Sequence, residues 1–234
     1  MTDKIQLYFF PFAGASFYSY NPLVNALPQN LLDIMVLELP GRGKRSQAPL
    51  LSDLHDMAAD LFHQIKDTIR PPYIFFGHSL GSLLAYEVIL KILDAGLDLP
   101  THLTVSGRGG PMVPPRDRDI RHMSSKRFYE LLKEYGGTPA QVFREKELMA
   151  FFEPVLRADF MAAGAYTAGK IRKLPLSVTV FNGTQDRVTR EDALKWQEVT
   201  DIPVTLKEFT GKHFFIFDHV AAICQAIVQP GHFN

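Results

Sequence analysis

Gly77-His78-Ser79-Leu80-Gly81 sets a serine between two glycines, directly after the apolar run Tyr73-Ile74-Phe75-Phe76 and ahead of a stretch of helical period at 83–93. A short strand, a sharp turn and a helix form the setting in which a serine is presented as an acyl-transfer nucleophile. The turn strains the serine backbone, and small neighbours are needed because larger side chains would collide with the flanking strand and helix. The five-residue pattern is common by chance. Its meaning rests on whether the chain also supplies a base, an acid and an oxyanion hole in a compatible order.

A serine hydroxyl is a poor nucleophile until a base takes its proton. Behind an elbow of this kind the chain order is serine, acid, histidine. Of the eight histidines, His213, His219 and His232 come late enough. His213 lies in Gly211-Lys212-His213-Phe214-Phe215, past the apolar run 204–209 and before the last helix, at the end of a parallel sheet where sites collect. His219 falls inside the expected helix and His232 on the tail, so His213 is the candidate base. Val178-Thr179-Val180-Phe181 runs into Asn182-Gly183-Thr184-Gln185-Asp186, where a carboxylate would hold the imidazole in the right tautomer and stabilise the imidazolium. The competing role for Asp186 is a cap for the helix beginning near Thr189, and Asp192 and Asp201 lie on or after that helix. The earlier strand end, Ser106-Gly107-Arg108, offers no carboxylate before Asp117, which favours Asp186.

The first oxyanion donor is then the backbone N–H of Leu80. The second is expected from the loop Pro11-Phe12-Ala13-Gly14-Ala15-Ser16, at Ala13 or alternatively Phe12. His78 is read as structural, with its side chain directed away from that of Ser79. The loop Leu39-Pro40-Gly41-Arg42-Gly43-Lys44-Arg45 carries three cations. It reads either as a dock for an acidic partner or as a solvated loop with one Arg in a structural salt bridge.

These residues must be held by a scaffold. Apolar runs of strand length at 5–10, 34–39, 73–76, 103–105, 178–181 and 204–209 alternate with helical stretches at 20–27, 54–69, 83–93, 191–199 and 216–228. Continuous apolar strands alternating with helices indicate an α/β fold with a mostly parallel sheet covered on both faces. The interval between the fourth and fifth strands is far longer than a crossover needs. It opens on Pro111, Pro114 and Pro115, then offers one helix from Ser124 or Ser125 to Gly136-Gly137 and another over 145–168, with Pro154 as a candidate break. The reading is one domain, 1–234, with a helical lid inserted at 111–170. Phe128, Leu131, Phe151, Phe152 and Leu156 are candidates for lining a pocket beneath the lid, although residues at such spacing also build plain core.

Composition narrows the classes. Basic and acidic residues balance at 25 each, which argues against a nucleic-acid binder or a polybasic membrane surface. The single cysteine, Cys224, excludes an internal disulfide and reads as a buried helical thiol. Met1-Thr2-Asp3-Lys4 leads into a run too short for a signal h-region or a membrane span, so a cytoplasmic enzyme is expected. No metal is called for.

The chain resembles the stand-alone type II thioesterases that accompany nonribosomal peptide and polyketide synthases, which have the α/β-hydrolase fold. Phe10-Pro11-Phe12-Ala13-Gly14-Ala15-Ser16 is similar to their oxyanion loop, and Leu39-Pro40-Gly41-Arg42-Gly43 to their second block. Gly136-Gly137-Thr138-Pro139 and Pro154-Val155-Leu156-Arg157-Ala158-Asp159-Phe160 resemble their lid signatures. Gly183-Thr184-Gln185-Asp186 and Gly211-Lys212-His213-Phe214-Phe215 resemble their acid and base blocks. Ala15 stands where a second Gly is common, and Asn182 where a small residue is usual. The resemblance implies hydrolysis of acyl groups carried as thioesters on the phosphopantetheine of acyl- or peptidyl-carrier proteins, through Ser79, His213 and Asp186. The phosphopantetheine belongs to the partner, so no cofactor is implied, and a monomer is the simplest expectation. Integrated terminal thioesterase domains, which commonly carry the acid after the earlier strand, are resembled less. An acyltransferase or a general cytosolic carboxylesterase would use the same triad, whereas a non-catalytic interaction protein would be expected to have lost one of its members.

Overall fold

Leu7 and Phe9 pack on one face of a sheet and Tyr8 and Phe10 on the other, all four buried. A strand covered on both sides has no need of polar alternation, which is why this segment reads as one apolar run. The computed structural model describes residues 4–117 and 120–229; His232 lies outside them. Its elements in chain order are β1 (Ile5–Phe10), α1 (Asn21–Ala26), β2 (Leu32–Val36), α2 (Leu54–Ile65), β3 (Tyr73–His78), α3 (Leu80–Asp94) and β4 (His102–Ser106). There follow α4 (Ser125–Tyr135), α5 (Ala140–Arg144), α6 (Lys146–Ala165), β5 (Ser177–Gly183), α7 (Arg190–Leu194), β6 (Thr205–Phe209), α8 (Phe215–Asp218) and α9 (Val220–Ile227).

The six strands order as β2-β1-β3-β4-β5-β6, and every pairing is parallel. From β1 the chain moves outward to β2 and then returns to the other side as β3, so the strand order reverses between β1 and β3. The crevice at such a reversal is where open parallel sheets place their sites. Helices α2 and α3 cover one face with Leu54, Met57, Leu61, Leu83, Leu84 and Val88, and α1 and α9 cover the other with Leu23, Ile223 and Ile227. Buried almost all round from Leu80 to Ile89, α3 runs through the core, as an evenly apolar helix must.

Three helices stand between β4 and β5 and have an apolar cluster of their own, centred on Phe128, Leu131, Leu132, Val142 and Met149. Ser124 caps α4 by accepting from the Arg127 N–H, and Gly136, at φ 78, ends it. Pro154 does not break α6, which runs unbroken from 146 to 165. The ring removes one backbone bond, but Met149 before it and Val155, Leu156, Ala158 and Ala162 after it are all buried and hold the helix together. The short α5 is not anticipated by the sequence pattern.

Other boundaries differ from expectation: the helix expected at 191–199 is α-helical only over Arg190–Leu194 and tightens to a 3-10 helix over Lys195–Val199, and the one expected at 54–69 ends at Ile65. The second strand lies at Leu32–Val36 rather than 34–39 because β1, its one sheet neighbour among the described residues, runs out at Phe10; the last link is the Leu37 N–H to the Phe9 carbonyl. The expected final helix at 216–228 divides at His219, whose backbone leaves the helical region. The ring of His219 sits within 2.7 Å of the Thr210 carbonyl and 3.1 Å of its hydroxyl, so it ties the β6 exit loop to the helix junction.

Candidate active site

Ser79 has φ 54 and is the one non-glycine residue with positive φ among the described residues. That strain belongs to the elbow between β3 and α3. A Cβ on Gly77 would run into the Gly81 carbonyl, and one on Gly81 into the Phe10 carbonyl. Both glycines are therefore demanded by backbone packing. The Ser79 N–H donates to the Ser106 carbonyl at 2.7 Å, which anchors the elbow to β4.

The Ser79 hydroxyl is 2.9 Å from His213 Nε2, and His213 Nδ1 is 2.9 and 3.2 Å from the two Asp186 carboxylate oxygens. A carboxylate only accepts, so Nδ1 carries the proton and Nε2 is left to accept from Ser79. Both partners are buried, with side chains 7% and 1% exposed. Asp186 Oδ1 also accepts from the Arg187 N–H at 2.6 Å. The sequence candidates Ser79, Asp186 and His213 are thus brought into one chain of hydrogen bonds, able to move a proton from a serine to an imidazole and stabilise the result.

Leu80 opens α3, so its N–H is one of the helix-start donors without an intrahelical partner, at the positive end of the dipole. Phe12, Ala13 and Gly14 line the same cleft as Ser79 and Leu80. The Gly14 N–H is taken by Asp159 Oδ2 at 2.7 Å, which leaves Ala13 and Phe12 as the loop donors that could face a substrate oxygen.

His78 is fully buried, its Nδ1 3.0 Å from the Ser106 hydroxyl, and its ring centroid is 5.0 Å from that of His213. It points away from Ser79 and onto the base. Burial, and secondarily the nearby His213, hold its pKa well below the usual histidine value, so it stays a neutral packing partner.

A cleft of about 860 Å³ opens between the sheet edge and the inserted helices. Phe151, Phe152 and Leu156 line it, and Phe151, still 64% exposed, stands at the rim. Phe128 and Leu131 do not line it. They are buried in the inserted segment's own cluster, with Phe128 edge-on to Phe160 and under the Arg157 guanidinium. The α4 face that carries them meets the neighbouring helices, while Leu132 and Tyr135 reach the cleft.

Sequence reasoning does not single out Tyr135 or Arg108, and for the 39–45 loop it leaves the partners of the cations unnamed. The Tyr135 ring packs edge-on against His213 at 5.1 Å, its hydroxyl donates to Asp117, and Arg187 lies over its face; burial and Asp117 push the phenol well above its usual range. Arg108, at the end of β4, lines the cleft, and its Nη2 donates to the Val113 carbonyl at 3.3 Å. Arg42 is buried and pairs through Nη1 and Nη2 with the two carboxylate oxygens of Asp159 of α6, itself fully buried. Arg45 pairs with Asp60, and Lys44 lies over the Phe17 ring. All three cations of that loop have internal partners, so the salt-bridge reading fits better than the docking one.

Among the described residues no group of His, Cys, Asp or Glu is arranged to hold a metal ion, and no helix is long and apolar enough to cross a membrane. A strained serine at the C-terminal end of a central parallel strand, with its base after the last strand, defines the α/β-hydrolase class. Within that class the chain belongs to the thioesterase family, whose domain model matches residues 5–229. It is a hydrolase acting on thioesters. The chain is 33% identical over 98% of its length to a probable cadicidin biosynthesis thioesterase of Streptomyces griseus, and spans 63% of that relative's length. Among solved structures, ClbQ from the colibactin NRPS/PKS pathway is 31% identical with a TM-score of 0.89, covering 96% of this chain and 95% of that one. BorB, a type II thioesterase from the borrelidin biosynthetic cluster, is also 31% identical at a TM-score of 0.89, over 100% of this chain and 94% of its own.

Proposed function

We propose that this chain hydrolyses acyl groups from the phosphopantetheine arms of carrier proteins in a modular peptide or polyketide synthase, and so clears stalled or misprimed units. The observation that carries the reading is His213 poised between Ser79 and Asp186 in hydrogen-bond geometry. Similarity to ClbQ and BorB supports the substrate class.

His213 takes the Ser79 proton as Oγ attacks the thioester carbonyl, while the N–H groups of Leu80 and Ala13 (or Phe12) hold the oxyanion. The tetrahedral intermediate collapses, the C–S bond breaks, and the phosphopantetheine thiol leaves with the proton from His213. Water, deprotonated by His213, then attacks the acyl-serine, and collapse releases the free acid and restores Ser79. These side chains and water complete the chemistry, and the phosphopantetheine arrives with the partner. The helices at 111–170 act as a lid that excludes competing acceptors and shapes the acyl cleft. The enzyme works as a monomer, with neither nucleic acid nor membrane as a partner.

The test is mass spectrometry on a panel of acyl-loaded carrier proteins. The wild-type chain should release free acid and return holo-carrier, and Ser79→Ala should do neither. Undiminished hydrolysis by Ser79→Ala would remove the mechanism. Transfer to an amine or alcohol in place of acid release would make the chain an acyltransferase, and a preference for simple aryl esters a general carboxylesterase.

A further inference from the structure

We propose that Asp159, on the helix that covers the cleft, is a positioning residue for the oxyanion loop. The inference rests on the reading of Ser79, Leu80 and the 11–16 loop given above. Asp159 has no exposure, and its Oδ2 accepts the Gly14 N–H at 2.7 Å from a helix 145 residues later in the chain. One turn before it, Leu156 presses on the same glycine: a Cβ on Gly14 would stand 2.6 Å from Leu156 Cδ2, and Gly14 has φ 79. Residues three apart share a helix face, so α6 grips Gly14 by one polar contact and one apolar contact.

The consequence follows from the planarity of the peptide unit. The Gly14 N–H and the Ala13 carbonyl lie in one rigid plane. Fixing that N–H fixes the plane and the Ala13 Cα within it, so the Ala13 N–H, one peptide back and the expected second oxyanion donor, can move only by rotation about the two backbone torsions of Ala13. A carboxylate serves better than a neutral acceptor because charge-assisted hydrogen bonds are shorter and stronger. A buried carboxylate needs a counter-charge, and Arg42 supplies it from the loop after β2, with Nη2 at 2.9 Å from Oδ1. Arg42 Nε in turn donates to the Pro40 carbonyl at 3.4 Å. The helix over the acyl cleft thereby becomes part of the machinery that places the oxyanion donor.

Two double variants separate positioning from mere stability. Arg42→Met/Asp159→Leu removes the ion pair and the Gly14 acceptor. Arg42→Met/Asp159→Asn removes the ion pair and leaves a carboxamide oxygen for Gly14. Replacing both members of a buried pair is commonly tolerated, unlike removing one. Each protein is assayed on a small activated thioester, with active sites counted by Ser79 labelling, and against a trifluoromethyl ketone that forms a tetrahedral oxyanion. The leucine variant should lose about tenfold to a hundredfold in kcat, with KM little changed, and the same factor in ketone affinity. The asparagine variant should recover most of both. The pH profile should stay put, because His213 and Asp186 are untouched. Should the leucine variant not fold, Arg42→Met/Asp159→Ser, too short to reach Gly14, takes its place with the same expectation.

Equal kcat and equal ketone affinity in the two double variants would overturn the proposal and leave Asp159 a structural residue. Lack of activity on acyl-carriers in the wild type would overturn only the substrate reading, since the ketone comparison reads the oxyanion loop with any thioester that acylates Ser79.

Discussion

Asp186 faces His213 with both carboxylate oxygens, and the loops that carry the two are stitched together by backbone. The Thr184 N–H donates to the Phe209 carbonyl at 2.8 Å, and the Gln185 N–H to the Gly211 carbonyl at 2.9 Å. A Cβ on Gly183 would come within 2.8 Å of the Gly211 and Lys212 carbonyls, so a glycine there lets the two loops close. Asp186 and His213 are registered by parallel strands β5 and β6 rather than by their side chains alone.

That geometry predicts the effect of Asp186→Asn. The fold should persist, because the strand-to-strand bonds do not involve the carboxylate. The amide no longer enforces a proton on Nδ1, so kcat should fall by about 10⁴. Turnover of an acyl thioester and a parallel melting curve check both halves; a fall of less than tenfold would argue against Asp186 as the orienting acid.

The elbow glycines predict a steric penalty. Gly77→Ala drives a methyl into the Gly81 carbonyl, which is backbone and cannot rotate away. A loss of about 1–3 kcal/mol in unfolding free energy is expected, together with reduced kcat as Ser79 shifts. Denaturant titration and steady-state kinetics on the same preparation measure the two effects.

The neutral, buried His78 predicts a pH dependence of stability. Its folded pKa is held well below the ordinary value by burial, whereas the unfolded chain titrates near pH 6.5. Below that pH the unfolded state binds a proton that the folded state does not. Stability should therefore be fully present above pH 6.5 and fall as pH is lowered, by up to about 1.4 kcal/mol per pH unit from this group. Urea denaturation from pH 7.5 to 5.5 should show a shallower slope in His78→Gln than in wild type. Parallel curves would show that His78 does not carry the effect.

The cleft makes Phe152 and Phe128 opposites, although both are apolar residues on helices of the same inserted segment. Phe152→Ala enlarges the cleft and should shift kcat/KM toward longer or bulkier acyl groups by about tenfold. Phe128→Ala empties a packed site in the inserted cluster, so it should cost about 3–5 kcal/mol and leave the acyl preference of the folded fraction in place. Rates across a series of acyl chain lengths, with thermal melts, distinguish the two.

Much of this is legible in the sequence alone. Local periodicity placed the strands and helices because burial on both faces of a parallel sheet leaves an unbroken apolar mark, and the Gly-Ser-Gly elbow, Asp186 and His213 each follow a recognisable strand. Boundaries were less legible where a neighbour decides them: β2 stops where β1 runs out, and α6 passes through Pro154 because packing on both sides holds it.

By itself the sequence determined the chain order of the candidate nucleophile, acid and base, and the elements that end at each. Those depend on residue type and on periods of two and 3.6, which are local. Only the tertiary structure decided which face of α4 meets the cleft, that His78 packs on His213, and that Arg42 and Asp159, 117 residues apart, join the helix over the cleft to the 11–16 loop. A buried charge is identified by its partner, and nothing in the local pattern around either residue names the other.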